Sequence, residues 1–192
     1  MMKKIACLLG SPRSGGNSET IARKIIETAE AQGASADIFA LCKMDFKGCC
    51  ACLACKKGLD ECAVQDDLTE ALDAIREADI LIIASPVYFG QLTGVMKMAV
   101  DRMYSFVDVG YLTGGNRTRL AKGKKCAFIL TQGAPEDVFP HAYTDYADFF
   151  GPDWFGYEMH LIRGLGLNKP TDAGENADLM KQAEELGRKL MG

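Results

Sequence analysis

Four cysteines, Cys49, Cys52, Cys55 and Cys62, stand at C-x2-C-x2-C-x6-C within one short segment. Thiolates are soft metal ligands, and the first three share the spacing of a bacterial ferredoxin site. Three on a tight loop and a fourth from nearby can grip the corners of a cubane, whereas structural zinc sites usually set two pairs farther apart. Cys50 offers a second ligand register. Free or disulfide-linked thiols, or another metal, are the alternatives.

A second group with chemical potential is Gly10-Ser11-Pro12-Arg13-Ser14-Gly15-Gly16-Asn17-Ser18, which follows an apolar run at 5–9 and precedes a helical pattern. Strand, polar loop and helix in that order aim unpaired backbone N–H groups and the positive end of a helix dipole at an anion. A Walker A loop would need Lys where Gly16 stands and Ser or Thr where Asn17 stands, and G-x-G-x-x-G is absent. What remains suits a terminal phosphate held without a metal. Ser11, Ser14, Asn17 and Ser18 can donate hydrogen bonds, Gly16 lets the backbone approach, and Arg13 adds a charge-assisted bond. The competing reading is an ordinary polar turn with Ser18 as helix N-cap.

The elements that must position these groups alternate. Apolar positions Ile21, Ala22, Ile25, Ile26 and Ala29 give a helix over 19–32, and residues 36–41 read as a second strand. An insertion at about 42–66, which holds the cysteines, has no sustained periodicity. Asp67 with Glu70 resembles a capping box opening a helix to about residue 78. The apolar run 80–84 is a central strand covered on both faces, followed by a helix over 93–106. Strands at 126–130 and 160–165 and a helix over 173–190 complete the chain.

Strand-helix alternation demands crossovers and a parallel sheet. The expectation is one α/β domain over 1–192, a flavodoxin-like three-layer sandwich with strand order 2-1-3-4-5. Ligands then bind beyond the strand C-termini. There the chain places the 10–18 loop, the turn Pro86-Val87-Tyr88-Phe89-Gly90, and Thr131-Gln132-Gly133. A mononucleotide with a flat ring would use the first as phosphate cradle and the other two as polar and aromatic walls. Core packing is the other explanation for Tyr88 and Phe89.

Length, 48% hydrophobic residues and 25% charged residues describe an ordinary globular chain. A net charge of −4 gives no general attraction to nucleic acid or anionic membrane, and no apolar run approaches the roughly 20 residues needed to span a bilayer. The start, Met1-Met2-Lys3-Lys4, leads too short an apolar run for a signal peptide and reads as part of strand one. Eight cysteines without an export signal point to a reducing, cytoplasmic compartment.

Gly10-Ser11-Pro12-Arg13, Gly16-Asn17-Ser18, Asp66-Asp67-Leu68, Ala78-Asp79-Ile80, Ser85-Pro86-Val87-Tyr88-Phe89 and Lys97 with Asp101-Arg102 together resemble the NADPH-dependent FMN reductase superfamily, over nearly the whole chain. The resemblance implies FMN, with its phosphate on Ser11, Arg13, Asn17 and Ser18 and its ribityl chain and ring along 86–90 and 131–133. The cysteine segment is similar to the compact motif of the iron–sulfur flavoproteins, which implies a [4Fe–4S] cluster on Cys49, Cys52, Cys55 and Cys62. It further implies a homodimer or homotetramer in which a cluster lies near a neighbour's flavin. The expected activity is FMN-dependent electron transfer with NAD(P)H or a ferredoxin-type protein as redox partner, the chemistry residing in the cofactors and no side chain acting as catalytic base or nucleophile. A cluster-free NAD(P)H-dependent reductase of flavin, quinones or nitro compounds, and a non-enzymatic flavodoxin-like carrier, are the rivals.

Weaker signals are an aromatic-rich stretch at 139–157, read as a flavin cover, a subunit contact or intrachain packing, and basic residues Arg117, Arg119, Lys122, Lys124 and Lys125, read as a nicotinamide phosphate contact or a solvated approach to a strand. His141 and His160 are given no role.

Overall fold

The computed structural model describes residues 2–192. Five strands, β1 Lys4–Leu9, β2 Ser35–Ala40, β3 Ile80–Pro86, β4 Lys125–Thr131 and β5 Glu158–Gly164, form one sheet of order β2-β1-β3-β4-β5. Every neighbouring pair is parallel. This is the flavodoxin-like arrangement that the alternation of elements predicts. Within β1, Ala6 and Leu8 pack into one core layer while Ile5, Cys7 and Leu9 pack into the other. Two buried faces leave no place for alternating polar residues, so β1 and β3 read as unbroken apolar runs.

On one face lie α1 Asn17–Glu30 and α6 Ala177–Met191; on the other lie α2 Leu68–Glu77, α3 Gly94–Arg102 and α4 His141–Phe150. A single turn, α5 Asp172–Glu175, precedes α6. The α1 helix buries Ile21, Ile25 and Ile26. Each contributes roughly 1.5–3 kcal/mol, against about 1 kcal/mol for a side-chain cap. Packing therefore fixes α1 although its N-cap, Gly16, offers no side chain. Close crossing of α1 and α6 depends on Gly187, where a Cβ would stand 2.7 Å from Thr28 Cβ and 2.8 Å from Ile25 O.

Several boundaries differ from those read in the sequence, each for a local reason. The first helix starts at Asn17, so Ser18 lies inside its first turn and is not its cap. Asp67 makes no capping bond; its Oδ2 accepts from Asp45 N at 2.7 Å, while Asp66 Oδ1 accepts from Leu68 N at 3.2 Å. The helix expected over 93–106 is α-helical only to Arg102 and tightens to a 3-10 turn over Met103–Phe106. The last helix is broken at Asn176, whose side chain caps α6 through Leu179 N. The α4 helix falls in the aromatic-rich stretch, where crowding by aromatics obscures the helical period. Its inward side, with Tyr146 and Phe150, packs edge-on or stacked against Phe128 of β4.

Candidate functional site

The C-terminal ends of β1, β3 and β4 bring the three loops together. A cavity of about 150 Å³ is lined by Ser11, Arg13, Gly16, Asn17, Ser18, Pro86, Val87, Tyr88, Thr131, Gln132 and Gly133, joined by Leu167 and Pro170. Of the fourteen binding residues expected from the sequence, Ser14, Phe89 and Gly90 do not border it. The sheet sets the spacing: Val87 N donates to Thr131 O at 2.8 Å and Gly10 N to Ala84 O at 2.8 Å, so each loop leaves its strand pinned to the next. Beneath the first loop, Thr93 Oγ1 donates to Gly10 O at 2.8 Å. A Cβ at Gly10 would lie 2.9 Å from both Thr93 Oγ1 and Met96 Cβ.

The side chains in this pocket divide into free and committed ones. Ser11 Oγ accepts from Arg13 N at 3.1 Å and shapes the turn. Glu19 Oε2 accepts from Gly15 N at 2.8 Å; although burial pushes its carboxyl up, that bond and the Arg23 guanidinium hold it below the usual range. Asn17 is spent on the chain beyond β5, donating to Lys169 O at 2.9 Å and accepting from Ala173 N at 2.9 Å. Gln132 likewise turns away: Nε2 donates to Pro135 O and Val138 O, both at 2.9 Å, and Oε1 accepts from Arg163 Nη2 at 3.0 Å. Asn17 and Gln132 therefore face the pocket through their main chains. The guanidinium of Arg13 makes no internal hydrogen bond or ion pair among the described residues.

Tyr88 and Phe89 are not core residues. Tyr88 and Gln91 exchange backbone bonds of 2.9 and 3.1 Å around a two-residue turn with φ of 50° at Phe89 and 79° at Gly90. Phe89 is fully exposed in a left-handed backbone that costs a non-glycine residue about 1–2 kcal/mol. Gln91 anchors the turn to α4 through Tyr146 OH at 2.8 Å and Asp145 Oδ2 at 2.9 Å.

The cysteine-rich segment forms a second site beside the C-terminal end of α3. Cys49, Cys50, Cys52, Cys55 and Cys62 line one largely apolar cavity of about 100 Å³, together with Arg102, Tyr104 and Ser105. Among the described residues no three His, Cys, Asp or Glu side chains come close enough to hold a metal ion. Irregular backbone over this segment is tied to the rest of the protein by cations. Buried Arg102 donates from Nε to Cys62 Sγ at 2.9 Å, from Nη1 to Lys47 O at 2.9 Å and Asp66 Oδ2 at 2.8 Å, and from Nη2 to Val64 O at 2.6 Å. Arg119 Nη1 holds Cys55 O at 2.9 Å, and Lys56 Nζ holds Tyr104 O at 2.6 Å and Val107 O. Burial pushes the Asp66 carboxyl up, but the bond from Arg102 and those from Lys47 N and Leu68 N outweigh it and leave the group low. The Ala54 N–H, aided by Cys50, favours the Cys52 thiolate, whereas burial pushes the Cys55 thiol up. Cys7, raised to about 12, and Cys126 are fully buried in the two core layers and stay protonated.

Sequence reasoning missed Leu167 and Pro170 as pocket walls and assigned no task to Arg102. The signal for Arg102 was present: it shares the inward side of α3 with buried Met96 and Ala99, where a cation needs partners. Of the basic run only Arg119, through Cys55 O, touches the cysteine-rich segment. Lys124 Nζ caps the end of α2 through Arg76 O at 2.9 Å and Ala78 O, and Lys125 begins β4, at the end of the strands opposite the loops. The aromatic stretch does not line the cavity at the strand ends; its outer residues Phe149 and Trp154 border a cleft of about 580 Å³ between α3 and α4 that also reaches Cys49.

Comparison with known proteins bears on both sites. The family described as NADPH-dependent FMN reductase matches residues 3–139. An iron–sulfur flavoprotein of Methanocaldococcus jannaschii is 33% identical over 99 residues, 52% of this chain and 51% of that protein. An iron–sulfur flavoprotein of Archaeoglobus fulgidus is 29% identical over 191 residues, 97% of this chain and 78% of that one. The first curated relatives are thus matched over about half their length. Among solved structures, an NAD(P)H:quinone oxidoreductase from Methanothermobacter marburgensis superposes with a TM-score of 0.72 at 17% identity, covering 100% of this chain and 98% of its own, which speaks to the fold.

Proposed function

Because the chain belongs to the NADPH-dependent FMN reductase family, we propose that it is an FMN-dependent oxidoreductase whose flavin sits at the ends of β1, β3 and β4. The observation that carries this reading is the convergence of three separate loops, with the N-terminus of α1, on a single cavity. FMN, when bound, supplies both one-electron and two-electron redox chemistry. The chain's own residues bind and orient it. Arg13 and the first-turn N–H groups of α1 would meet the phosphate dianion, with Ser11 and Ser18 beside them. Pro86, Val87 and Gly133 present backbone to the sugar alcohol and ring edge, and the cavity opens past Tyr88 where a flat ring can lie. Neither histidine nor any carboxylate lines this cavity, so no side chain is assigned a proton-transfer role.

The same reading places a [4Fe–4S] cluster on Cys49, Cys52, Cys55 and Cys62. In its favour are four thiols around one cavity and a shell of cations, Arg102, Arg119 and Lys56, suited to an anionic group. Curated relatives from Methanocaldococcus jannaschii and Archaeoglobus fulgidus carry the name iron–sulfur flavoprotein. Four soft sulfurs spread around a cavity suit a cubane better than one ion. NAD(P)H is the proposed donor, small redox molecules the acceptors, and a reducing cytoplasm the compartment in which eight free thiols persist.

That no three His, Cys, Asp or Glu side chains group into a metal site among the described residues favours a second reading, a cluster-free NAD(P)H-dependent reductase. Denaturing anaerobically purified protein, identifying the released chromophore and assaying iron and sulfide separates the two. FMN with about four irons per chain supports the first, FMN without iron the second. A protein without FMN at all ends both.

A further inference from the structure

Ser105 sits in the 3-10 turn that continues α3, is 2% exposed, and its hydroxyl has no hydrogen-bond partner. A buried hydroxyl left unpaired weakens the fold, and alanine would occupy the same space without that cost. The Ser105 carbonyl accepts from Arg119 Nη1 at 2.8 Å, the same nitrogen that holds Cys55 O. Ser105 borders two cavities, that of the cysteine-rich segment and a smaller one beside α2 with Glu61, Thr69 and Asp73, and one helical turn earlier Arg102 lines the first with Nε 2.9 Å from Cys62 Sγ. The α3 turn thus brings one neutral donor without an acceptor and one cationic donor already on sulfur to a cavity walled by thiols.

We propose that the Ser105 hydroxyl is a hydrogen-bond donor to the sulfur atoms of the iron–sulfur group held by Cys49, Cys52, Cys55 and Cys62, and that it raises the reduction potential of that group. The inference rests on the four-thiol reading above. Reduction adds negative charge that falls largely on the sulfurs, so a donor hydroxyl stabilises the reduced form more than the oxidised one. The orphan hydroxyl is a feature that the protein without its group would be better off losing.

The test compares full-length wild type with Ser105→Ala, each prepared anaerobically and examined both iron-free and after reconstitution with iron and sulfide. Without iron, Ser105→Ala unfolds at a higher urea concentration than wild type, because an unpaired buried group has gone. With iron, it retains about four irons per chain, and its midpoint potential in a dye-mediated titration moves to more negative values. An unchanged potential at full iron content overturns the proposal and leaves the four-thiol reading standing. A lower urea midpoint in the iron-free variant also overturns it, since the hydroxyl then has a partner inside the protein. Wild type that holds neither iron nor sulfide ends the four-thiol reading and this inference with it.

Discussion

The pocket at the strand ends and the cysteine-rich segment are built by opposite means. In the pocket, sheet register places the backbone, and few side chains are spent on it: Val87 N on Thr131 O and Gly10 N on Ala84 O suffice. Residues 42–66 have only two isolated 3-10 turns, and left-handed backbone at Ala51 and Leu53. Side chains from elsewhere, Arg102 and Arg119, grip their carbonyls, and Lys56 of the segment reaches out to Tyr104 O. A mononucleotide is therefore offered a preformed surface, whereas the thiols are offered a tethered loop. The first kind of site tolerates loss of one contact; the second fails when its central tether goes.

Removing that tether gives the largest effect. Arg102→Met strands Asp66 and the carbonyls of Lys47 and Val64, and should lower unfolding free energy by about 3–5 kcal/mol in urea titration. Trypsin should then cut at Lys47, Lys56 or Lys57 well before the sheet is attacked. Equal protease resistance would erase the contrast between the sites. Next, Arg13→Ala removes one charge-assisted bond of about 1.5–3 kcal/mol, so FMN affinity measured by fluorescence titration should fall roughly 10- to 100-fold with little change in Tm. Unchanged affinity would move the phosphate elsewhere.

Acid probes the tether without mutation. The Asp66 carboxyl titrates lower in the fold than its unfolded value of about 3.9, so its contribution is fully present above that pH and is lost as pH falls through the folded value. Hydrogen exchange over residues 42–66 should accelerate below about pH 4, earlier than exchange in β1 or β3; simultaneous loss would tie the segment to the sheet more tightly than its bonds suggest. Smallest is Phe89→Gly. Its ring is fully exposed and its φ is 50°, so relief of backbone strain should raise stability by about 0.5–1 kcal/mol, or roughly 1–4 °C in Tm. A falling Tm would mean that the ring packs on something in solution.

Much of the pocket was legible because its parts are local patterns. Apolar runs and helical spacing give four crossovers between five strands, crossovers force a parallel sheet, and a parallel sheet gathers the loops after strands one, three and four at one end. Eleven of fourteen residues on those loops consequently share one cavity. What the pattern does not fix is where single side chains spend their hydrogen bonds. Asn17 and Gln132 sit where the pattern puts them but bond away from the cavity, Asn17 to a carbonyl 152 positions on. The capping box at Asp67 failed for the same reason, its carboxylate being taken by Asp45 N, 22 positions back.

Sequence alone determined the strand order, the polar loop after the first strand and the clustering of five thiols, because periodicity, chain connectivity and spacing are properties of neighbours. Only the tertiary structure decided which polar groups are spent and which are free. Arg102 reaches four acceptors on a segment 36 to 55 positions earlier, and Ser105 reaches none. Hydrogen bonds of that range depend on how layers pack, and packing is set by the whole fold at once.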